Sequence, residues 1–412
     1  MAGMTSVRSA HNVADNNDKT IYILGVGNLG KYAAHALAKH VPDQPVTLLL
    51  HRQGLLDDWK AAGEAIECIE AGLSSRTSGF GVEVLPASDI LETDKNQNHP
   101  RPPIKHLIVA TKAYNTTAAL RRIRDRLSRG SNILFLQNGM GTTDEASATV
   151  FQDPASRPTY YAGICYVGIH SRPPFGFVHA GRGSLILGRV DTSDPTAPAD
   201  KTDNVLLQSL SAAAPTLGTE LATPTQLRVA QLNKLAINST INPFSVILNC
   251  RNGHVFESET QMEALNQLLA LETGPILRAL LPARATADMH KKFQPDELVK
   301  LAVKVAEDTA DNFSSMLQDV QAGRQTEIDY INGYLVKQGM EHGMETPQNA
   351  GIVEFVKQAS RNKGPYDLDS NCLTGELRRI HMQRKASLGS PERKHSMGCV
   401  GEESNDQRPR RE

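Results

Sequence analysis

The chain of 412 residues carries a net charge of −1, with 40% hydrophobic and 22% charged residues, the composition of a soluble globular protein with two or three domains. This balance gives no reason to expect a nucleic-acid or membrane partner, and no apolar run approaches the length of a membrane span. The five cysteines are scattered without a CxxC pair, so we expect no metal site, no disulfide framework and a reducing compartment.

The N-terminal segment is polar and has no apolar core of the kind found in signal peptides. It contains Asp15 and Asp18, and transit peptides usually avoid acidic residues. We therefore expect a disordered leader over residues 1–19 and a cytoplasmic protein, with a mitochondrial location left open.

The first motif is a strand, a glycine-rich turn and a helix. Ile21 to Leu24 form a short apolar strand, residues 31–40 have helical composition, and between them stand Gly25, Val26, Gly27, Asn28, Leu29 and Gly30. In this context GxGxxG predicts dinucleotide binding, because Gly25 allows the tight turn, Gly27 lets a pyrophosphate approach and Gly30 lets helix and strand pack closely. The phosphates would bind free N–H groups at the helix start.

The second strand, Val46 to Leu50, is followed by His51 and Arg52. An NAD-binding protein normally carries an acid here, which binds the ribose 2′-hydroxyl. A guanidinium at this position would instead pair with a 2′-phosphate, so Arg52 favours NADP(H). The alternative is an ordinary surface arginine after a strand.

Two later strands each end in a polar side chain. Ile104 to Ala110 precede Lys112, and Ile133 to Leu136 precede Asn138 in the turn QNGMG. The carboxyl ends of parallel strands meet at the ligand-binding edge of an open sheet. We therefore expect Lys112 and Asn138 at that edge.

The rest of this half mixes strands, loops and one helix. Strands are predicted at 65–70, 80–86 and within 160–190, polar loops at 91–103 and 191–203, and a short helix at 204–214.

From residue 223 the pattern predicts helices only. Lys234, Asn238 and Asn242 stand at i, i+4 and i+8 in an apolar stretch, which places a cation and two amides on one helix face about 6 Å of rise apart. Such groups are costly to bury without partners, so this face is a candidate site, although the lysine of a buried helix often reaches solvent. Pro243 cannot donate to Ser239 and predicts a kink or pause.

Thr326 and Asp329 flank Glu327 in a stretch like a capping box, which predicts a helix start there. After Arg361 the apolar periodicity is lost, and residues 384–412 are predicted to be disordered. Within them, RKAS ending at Ser387 resembles a kinase site.

These stretches resemble the ketopantoate reductases (2-dehydropantoate 2-reductases), NADPH enzymes of pantothenate biosynthesis. The resemblance runs from residue 21 to about 357 and rests on GVGNLG, ATKAYNT, LQNGMGTTDE, KLAINSTINPFSVILNCRNG and SSMLQDVQAGRQTEIDYINGY. It implies an α/β fold: a Rossmann-type NADP-binding domain over 20–222, then an all-helical substrate and catalytic domain over 223–360. A mostly disordered tail over 361–412 would follow.

The resemblance also implies individual roles. Lys234 looks like the proton donor to the substrate ketone, and Glu327 like the glutamate beside that lysine and the nicotinamide. Arg52 and Lys112 match the two cations near the 2′-phosphate. The implied substrate-binding residues are Asn138, Lys234, Asn238, Asn242, Asn252 and Ser315.

The implied reaction is NADPH-dependent reduction of ketopantoate to pantoate, by a monomer or homodimer acting on a small 2-keto acid. Burial would lower the pKa of Lys234 and a nearby Glu327 would oppose that shift, a competition that the sequence leaves open. Two alternatives remain: a reductase of another 2-keto or 3-hydroxy acid, and a non-catalytic NADP(H) sensor.

Overall fold

The structure, a computed structural model, describes residues 18–86, 101–190, 204–364 and 373–387. The leader up to residue 17, most of the 91–103 insertion, the 191–203 loop and the chain from 388 onward lie outside the described residues. The described part confirms the predicted fold class, an α/β N-terminal domain followed by a helical one.

The described residues form twelve strands, and the continuous apolar runs of the sequence supply those at the centre of the larger sheet. In chain order they are β1 Ile21–Leu24, β2 Val46–Leu50, β3 Ile66–Glu70, β4 Leu73–Thr77, β5 Gly81–Val84, β6 His106–Val109, β7 Asn132–Phe135, β8 Thr159–Cys165, β9 Gly168–Arg172, β10 Gly176–Gly181, β11 Leu185–Arg189 and β12 Thr219–Leu221.

The larger sheet has eight strands in the order β12-β11-β8-β7-β6-β1-β2-β5. All neighbours in it are parallel except β8 and β11. The order reverses at β1, between β6 and β2, which is the switch point at which open α/β sheets bind ligands.

A second sheet of four strands, in the order β4-β3-β10-β9, was not predicted as a separate layer. It packs against the helix Asn28–His40, whose Tyr32 shares one core with Ile66 and Phe177 of this sheet. The Nζ of Lys31, on the same helix, donates to the carbonyl of Gly176 at 2.5 Å. The first helix after the glycine turn is therefore held between two sheets.

The helices of the N-terminal domain are Asn28–His40, Gln53–Ala61, Thr116–Arg121, Thr142–Thr149, Val205–Ala212 and Ala214–Leu217, with 3-10 turns at Ala113–Asn115 and Arg124–Arg126. Three of them, Gln53–Ala61, Thr142–Thr149 and Ala214–Leu217, were not predicted, whereas Thr116–Arg121 falls in a stretch up to about Leu127 whose composition predicts a helix. Asn204 caps the predicted 204–214 helix by accepting from the N–H groups of Leu206 and Leu207.

After Thr223 the described chain is helical, as predicted. The α-helices are Pro224–Leu248, Glu259–Leu268, Gly274–Ala279, Ala287–Lys292, Pro295–Asp308, Ser315–Gln321, Asn332–Glu341, Pro347–Arg361 and Gly375–Ser387. A π-helical turn spans Leu269–Thr273, and 3-10 turns span Asn252–His254 and Ile328–Tyr330. Pro224–Leu248, here called the central helix, begins with a capping box between Thr223 and Gln226.

The kink or pause predicted at Pro243 does not end the central helix, which continues to Leu248. Pro243 leaves the carbonyl of Ser239 without its usual donor. The Nδ2 of Asn332 supplies one at 2.9 Å and also donates to Oδ1 of Asn349 at 3.0 Å. A side chain of a neighbouring helix thus replaces the backbone bond that proline removes.

The helix start predicted at Thr326 is wrong. Glu327 precedes a 3-10 turn, Ile328–Tyr330, and the α-helix begins at Asn332. Asp329, which would close the capping box, binds the Nζ of Lys357 at 2.6 Å instead, and the side chain of Glu327 is directed to the other domain.

The tail beyond 361 was predicted to be mostly disordered, yet its described part contains the helix Gly375–Ser387. Leu377 and Ile380 of this helix are buried with Leu373 in the core of the helical domain. These three apolar residues, spaced four and three apart, form too short a pattern to stand out beside the many charged neighbours. The RKAS motif lies at the end of this helix.

Candidate functional site

The glycine turn has the geometry that its motif predicts. Gly25 adopts φ 102°, and a Cβ there would lie 2.6 Å from the backbone N of Thr111. A Cβ on Gly30 would lie 1.9 Å from the carbonyl O of Gly25. Both positions therefore exclude a side chain, because backbone atoms of the turn and of the chain after β6 occupy the space.

Gly27 is exposed, and a Cβ there would meet just one atom, the carbonyl O of Ala110, at 3.9 Å. The helix begins at Asn28 with no side-chain cap on its first N–H groups. Val26 and Leu29 turn toward the core of the sheet. Open backbone donors at the positive end of a helix suit a pyrophosphate.

Arg52 lies at the carboxyl end of β2, exposed, immediately before the helix Gln53–Ala61. Its backbone is extended, and its carbonyl accepts from the N–H of Leu55 at 3.2 Å. The strand β2 is hydrogen-bonded to β1, so Arg52 and the glycine turn share one edge of the sheet.

Lys112, predicted to be a second cation near Arg52, is bound instead to the helical domain. Its Nζ lies 2.6 Å from Oδ2 of Asp319 and 3.9 Å from Oε2 of Glu327. Burial on its own lowers the pKa of Lys112, but the carboxylates of Glu327 and Asp319 outweigh burial and raise that pKa. A phosphate would have to compete with two carboxylates for this ammonium.

Glu327 is buried between the two domains. Its Oε1 accepts from the backbone N–H of Ala113 at 2.9 Å, and its carboxyl also takes a hydrogen bond from the side chain of Asn138. Burial raises the pKa of Glu327, against the opposing effects of Lys112 and Ala113. The carboxyl group thus joins the turns that follow β6 and β7.

Lys234 lies in a cleft between the domains, here called the interdomain cleft. It is lined by Gln137, Asn138, Gly139, Met140, Ile164, Cys165, Gln231, Lys234 and Leu235. The structure thus brings Asn138 and Lys234 to the same cleft. Burial lowers the pKa of Lys234, with a small opposing effect from Cys165. The competition expected with Glu327 does not arise, because Glu327 is engaged by Lys112, Ala113 and Asn138.

Asn238 and Asn242 follow Lys234 along the central helix, Asn238 buried and Asn242 half-buried. Asn252 is buried beyond the end of that helix and donates from Nδ2 to Oγ1 of Thr309 at 2.9 Å, whereas its Oδ1 has no hydrogen-bond partner within the described chain. The structure therefore ties Asn252 to the C-cap of the helix Pro295–Asp308 and leaves the Oδ1 acceptor of Asn252 open.

Ser315 is exposed as the first residue of the helix Ser315–Gln321. Ser314, which was not predicted, is the buried N-cap and accepts from the N–H of Leu317 at 3.0 Å. Its hydroxyl also lies 2.6 Å from that of Ser245, which is about 16 Å of helix rise beyond Lys234. The serine pair therefore marks the far end of the face that carries the two amides.

Sequence reasoning missed Asp319, Gln137, Tyr166 and Tyr330. Asp319 binds Lys112 across 207 residues of sequence. Tyr330 donates to Oε2 of Glu145 at 2.8 Å, and its carbonyl accepts from the N–H of Met140 at 2.8 Å. The QNGMG and TEIDY motifs stand far apart in the sequence, and neither contains a local signal that they dock together.

Among the described residues, no group of three or more His, Cys, Asp or Glu side chains could hold a metal ion. In the same residues, no helix combines the length and the apolar character that crossing a membrane requires.

Two family profiles match the chain. One described as ketopantoate reductase PanE/ApbA covers residues 21–192, and one described as ketopantoate reductase PanE/ApbA C terminal covers residues 226–360. The border between the α/β and helical domains falls in residues 193–225, between the two matches, which together span well over half of the chain.

The chain is 29% identical over 350 residues to a probable 2-dehydropantoate 2-reductase of Schizosaccharomyces pombe, covering 82% of this chain and 96% of the relative. It is 27% identical over 396 residues to a ketoisovalerate reductase of Gibberella fujikuroi, covering 84% of each. The solved ternary structure of D-mandelate dehydrogenase with NADH and anilino(oxo)acetate shares the fold, with a TM-score of 0.65 at 19% identity over 84% of this chain and 99% of that one.

Proposed function

The chain belongs to the ketopantoate reductase PanE/ApbA family, and from this we propose that it reduces the 2-keto acid 2-dehydropantoate to pantoate with NADPH, in pantothenate biosynthesis. The observation that carries the proposal is the interdomain cleft, where Lys234 of the central helix faces Asn138 at the carboxyl end of β7. A desolvated lysine beside a dinucleotide-binding edge suits the protonation of a carbonyl oxygen.

The residues at the glycine turn fit a dinucleotide. The open N–H groups at the start of the helix Asn28–His40 would bind the pyrophosphate, and the space above Gly27 would admit it. Arg52, exposed at the end of β2, would pair with the 2′-phosphate of NADP(H). The bound cofactor would supply the hydride to the keto carbon.

Lys234 would supply the proton to the keto oxygen. Because burial lowers the pKa of its ammonium, proton donation becomes easier than from an exposed lysine. While still charged, the ammonium also stabilises the negative charge that develops on oxygen. The lysine would regain its proton from solvent through the open side of the cleft.

Glu327 would act on the geometry of the site. By binding the side chain of Asn138 and the N–H of Ala113, it fixes two turns that border the interdomain cleft. Asn138 would then be held between cofactor and substrate in one rotamer. In this proposal Glu327 orients Asn138, and Lys234 alone transfers the proton.

The substrate would lie along the face of the central helix. Asn238 and Asn242 offer amides one and two turns beyond Lys234, which suit the 4-hydroxyl of 2-dehydropantoate without adding charge. Ser315, exposed near the far end of this face, is the carboxylate ligand that the resemblance implies. Because the carboxylate adjoins the keto group that Lys234 would protonate, the serine would have to approach the lysine for both to bind one substrate. Asn252 would contribute its open Oδ1 acceptor.

A second candidate substrate is 2-ketoisovalerate, which lacks the hydroxymethyl group that carries the 4-hydroxyl. It is favoured by the fungal ketoisovalerate reductase at 27% identity and by the apolar side chains of Met140, Ile164 and Leu235 in the interdomain cleft. An apolar pocket discriminates weakly against an added hydroxyl, whereas a site built to bind that hydroxyl rejects the analogue that lacks it. The ratio of the two kcat/KM values therefore tells the substrates apart.

The test is NADPH oxidation by the purified full chain with 2-dehydropantoate and 2-ketoisovalerate, each with NADH in parallel. We expect a higher kcat/KM for 2-dehydropantoate and a preference for NADPH. A reversed substrate order would move the assignment to ketoisovalerate. No turnover of either acid, with NADPH binding intact in a thermal-shift measurement, would contradict both substrate assignments and favour a reductase of another acid or a non-catalytic NADP(H) sensor.

Lys234→Met supplies the matched control, since methionine keeps the length and apolar stem of lysine without its charge. We expect kcat to fall by at least about a hundredfold, the usual contribution of a positioned acid, with NADPH affinity nearly unchanged. Comparable turnover in Lys234→Met would remove the proton-donor role.

A further inference from the structure

An aromatic ring lies directly against the ammonium of Lys234. The Nζ is 5.0 Å from the ring centroid of Tyr166, within the range of a cation–π contact. Tyr166 immediately follows β8, whose last residue, Cys165, lines the interdomain cleft. The ring therefore approaches the lysine from the sheet side of the cleft.

The ring is held in place at its other end. The hydroxyl of Tyr166 donates to the carbonyl of Ala230 at 3.0 Å. Ala230 precedes Lys234 by four residues, one turn of the same helix. One side chain thus contacts two successive turns of the central helix, through its hydroxyl at the first and its ring face at the second.

The surroundings of Lys234 leave this ring as the main stabiliser of its charge. Burial raises the pKa of the Cys165 thiol and that of the Tyr166 hydroxyl to about 12, so both stay neutral in the working range. Glu327, the carboxyl group that the resemblance places beside Lys234, is bound by Lys112, Ala113 and Asn138. Within the described residues, no carboxylate forms an ion pair with Lys234.

We propose that Tyr166 is a positioning residue for Lys234, whose ring holds the ammonium in the interdomain cleft and favours its charged form. This rests on the proposed function, in which Lys234 donates the proton. Without the ring, burial would act unopposed, and the lysine would lose its proton at lower pH and leave its position more readily.

The test varies the ring electrostatics while keeping its shape. Tyr166 is replaced in the full chain by phenylalanine and by phenylalanines with one, two and three ring fluorines, which progressively weaken the negative face of the ring. The pKa of Lys234 is read by NMR of ¹³C-methylated lysines, with Lys234→Met assigning the signal. The pH profile of kcat is measured in parallel.

We expect the phenylalanine variant to titrate close to the wild type, since the ring remains. Each added fluorine should lower the pKa of Lys234, by on the order of one unit across the series, and should move the high-pH loss of kcat down by the same amount. The same substitutions at Phe244, on the central helix but paired with Phe256, should leave both readouts unchanged.

A pKa that does not follow the fluorines would overturn the proposal. So would a phenylalanine variant that already shows the full shift, because the hydroxyl bond to Ala230 would then be responsible. The NMR titration needs no substrate, so the two ideas fail separately: a pKa that follows the fluorines in a protein without keto-acid turnover would support the contact and remove the proposed function.

Discussion

The ammonium of Lys112 lies 2.6 Å from the carboxylate of Asp319, and this contact joins the two domains beside the interdomain cleft. Lys112 belongs to the turn after β6, and Asp319 to the helix Ser315–Gln321. Asp319 also binds the Nε of Arg324 at 2.9 Å. One buried carboxylate therefore serves two cations, one from each domain.

Asp319→Asn should lower the stability of the domain contact. The carboxylate is 5% exposed whereas the lysine is 38% exposed, so water can replace much of the lost partner and we expect a cost of about 1 kcal/mol. Thermal unfolding should show a decrease of roughly 1 °C in a chain of this size. Arg324→Ala is the control, since that arginine is 56% exposed and its loss should cost less. Equal losses in the two variants would show that the Lys112 contact contributes nothing.

The ion pair between Lys112 and Asp319 also leads to a prediction about the preference for NADPH over NADH. Arg52→Ala should weaken NADPH binding roughly 10- to 100-fold and leave NADH nearly unaffected, since a hydrogen bond to a charged group contributes about 1.5–3 kcal/mol. Lys112→Ala should change the ratio of NADPH to NADH affinity much less, because its ammonium is bound to Asp319. Titration calorimetry with both cofactors measures the ratios. A larger loss of preference in Lys112→Ala would show that the lysine leaves Asp319 for the phosphate.

The main sheet was predictable because its strands are continuous apolar runs with turn residues behind them. Ile21–Leu24 and Val46–Leu50 are buried nearly throughout, as parallel strands are. The second sheet was not predictable in this way, because its strand β4, with the sequence LSSRT, is largely exposed and has no apolar alternation. Its place depends on Tyr32 and Phe177, residues far apart in sequence that meet only in the fold.

The candidate site was likewise predictable in part from the sequence. The local sequence pattern was enough to identify Lys234 and Asn138 as candidate site residues. Lys234 lies on a helix with clear apolar periodicity, and Asn138 lies at the end of a strand. The sequence did not predict that Lys112 contacts Asp319 or that Lys234 contacts Tyr166. Asp319 and Tyr166 come from segments whose position depends on how the domains dock. Local pattern thus identified the polar groups, and tertiary packing decided which of them face each other.

Because Lys31 is buried, we expect the free energy of unfolding to change with pH in the alkaline range. Burial lowers its pKa to about 8 in the folded protein, compared with 10.5 for an exposed lysine. Between these values the unfolded chain binds more protons than the folded one, so wild-type stability should rise with pH across this window. Relative to Lys31→Met, the gain should total about 3 kcal/mol between pH 7 and pH 10.5.

Urea unfolding of the wild type and Lys31→Met across this range measures the difference, and pH effects from other groups cancel between them. Lys60→Met, which removes an exposed lysine from the helix Gln53–Ala61, is the control and should show no such trend. A constant difference between wild type and Lys31→Met would mean that the buried amine titrates normally.

Pro243 removes a helix hydrogen bond to the carbonyl of Ser239, and the side chain of Asn332 replaces it. A double-mutant cycle can test this replacement. Asn332 is fully buried and donates to the carbonyl that Pro243 leaves open, so Asn332→Ala should cost about 2–3 kcal/mol. In a Pro243→Ala background, the restored N–H of residue 243 satisfies the Ser239 carbonyl. The cost of Asn332→Ala should then be smaller by about 1 kcal/mol, measured as a coupling energy in urea unfolding.

Asn349→Ala is the matched control for this cycle. Asn349 accepts from Asn332 and donates to Oε2 of Glu272 at 2.8 Å, so it belongs to the same buried network without contacting Ser239. Its cost should therefore be the same with proline or alanine at position 243. A coupling energy near zero for Asn332, or one as large for Asn349, would mean that the Asn332 side chain supports the network in general and does not replace the missing helix bond.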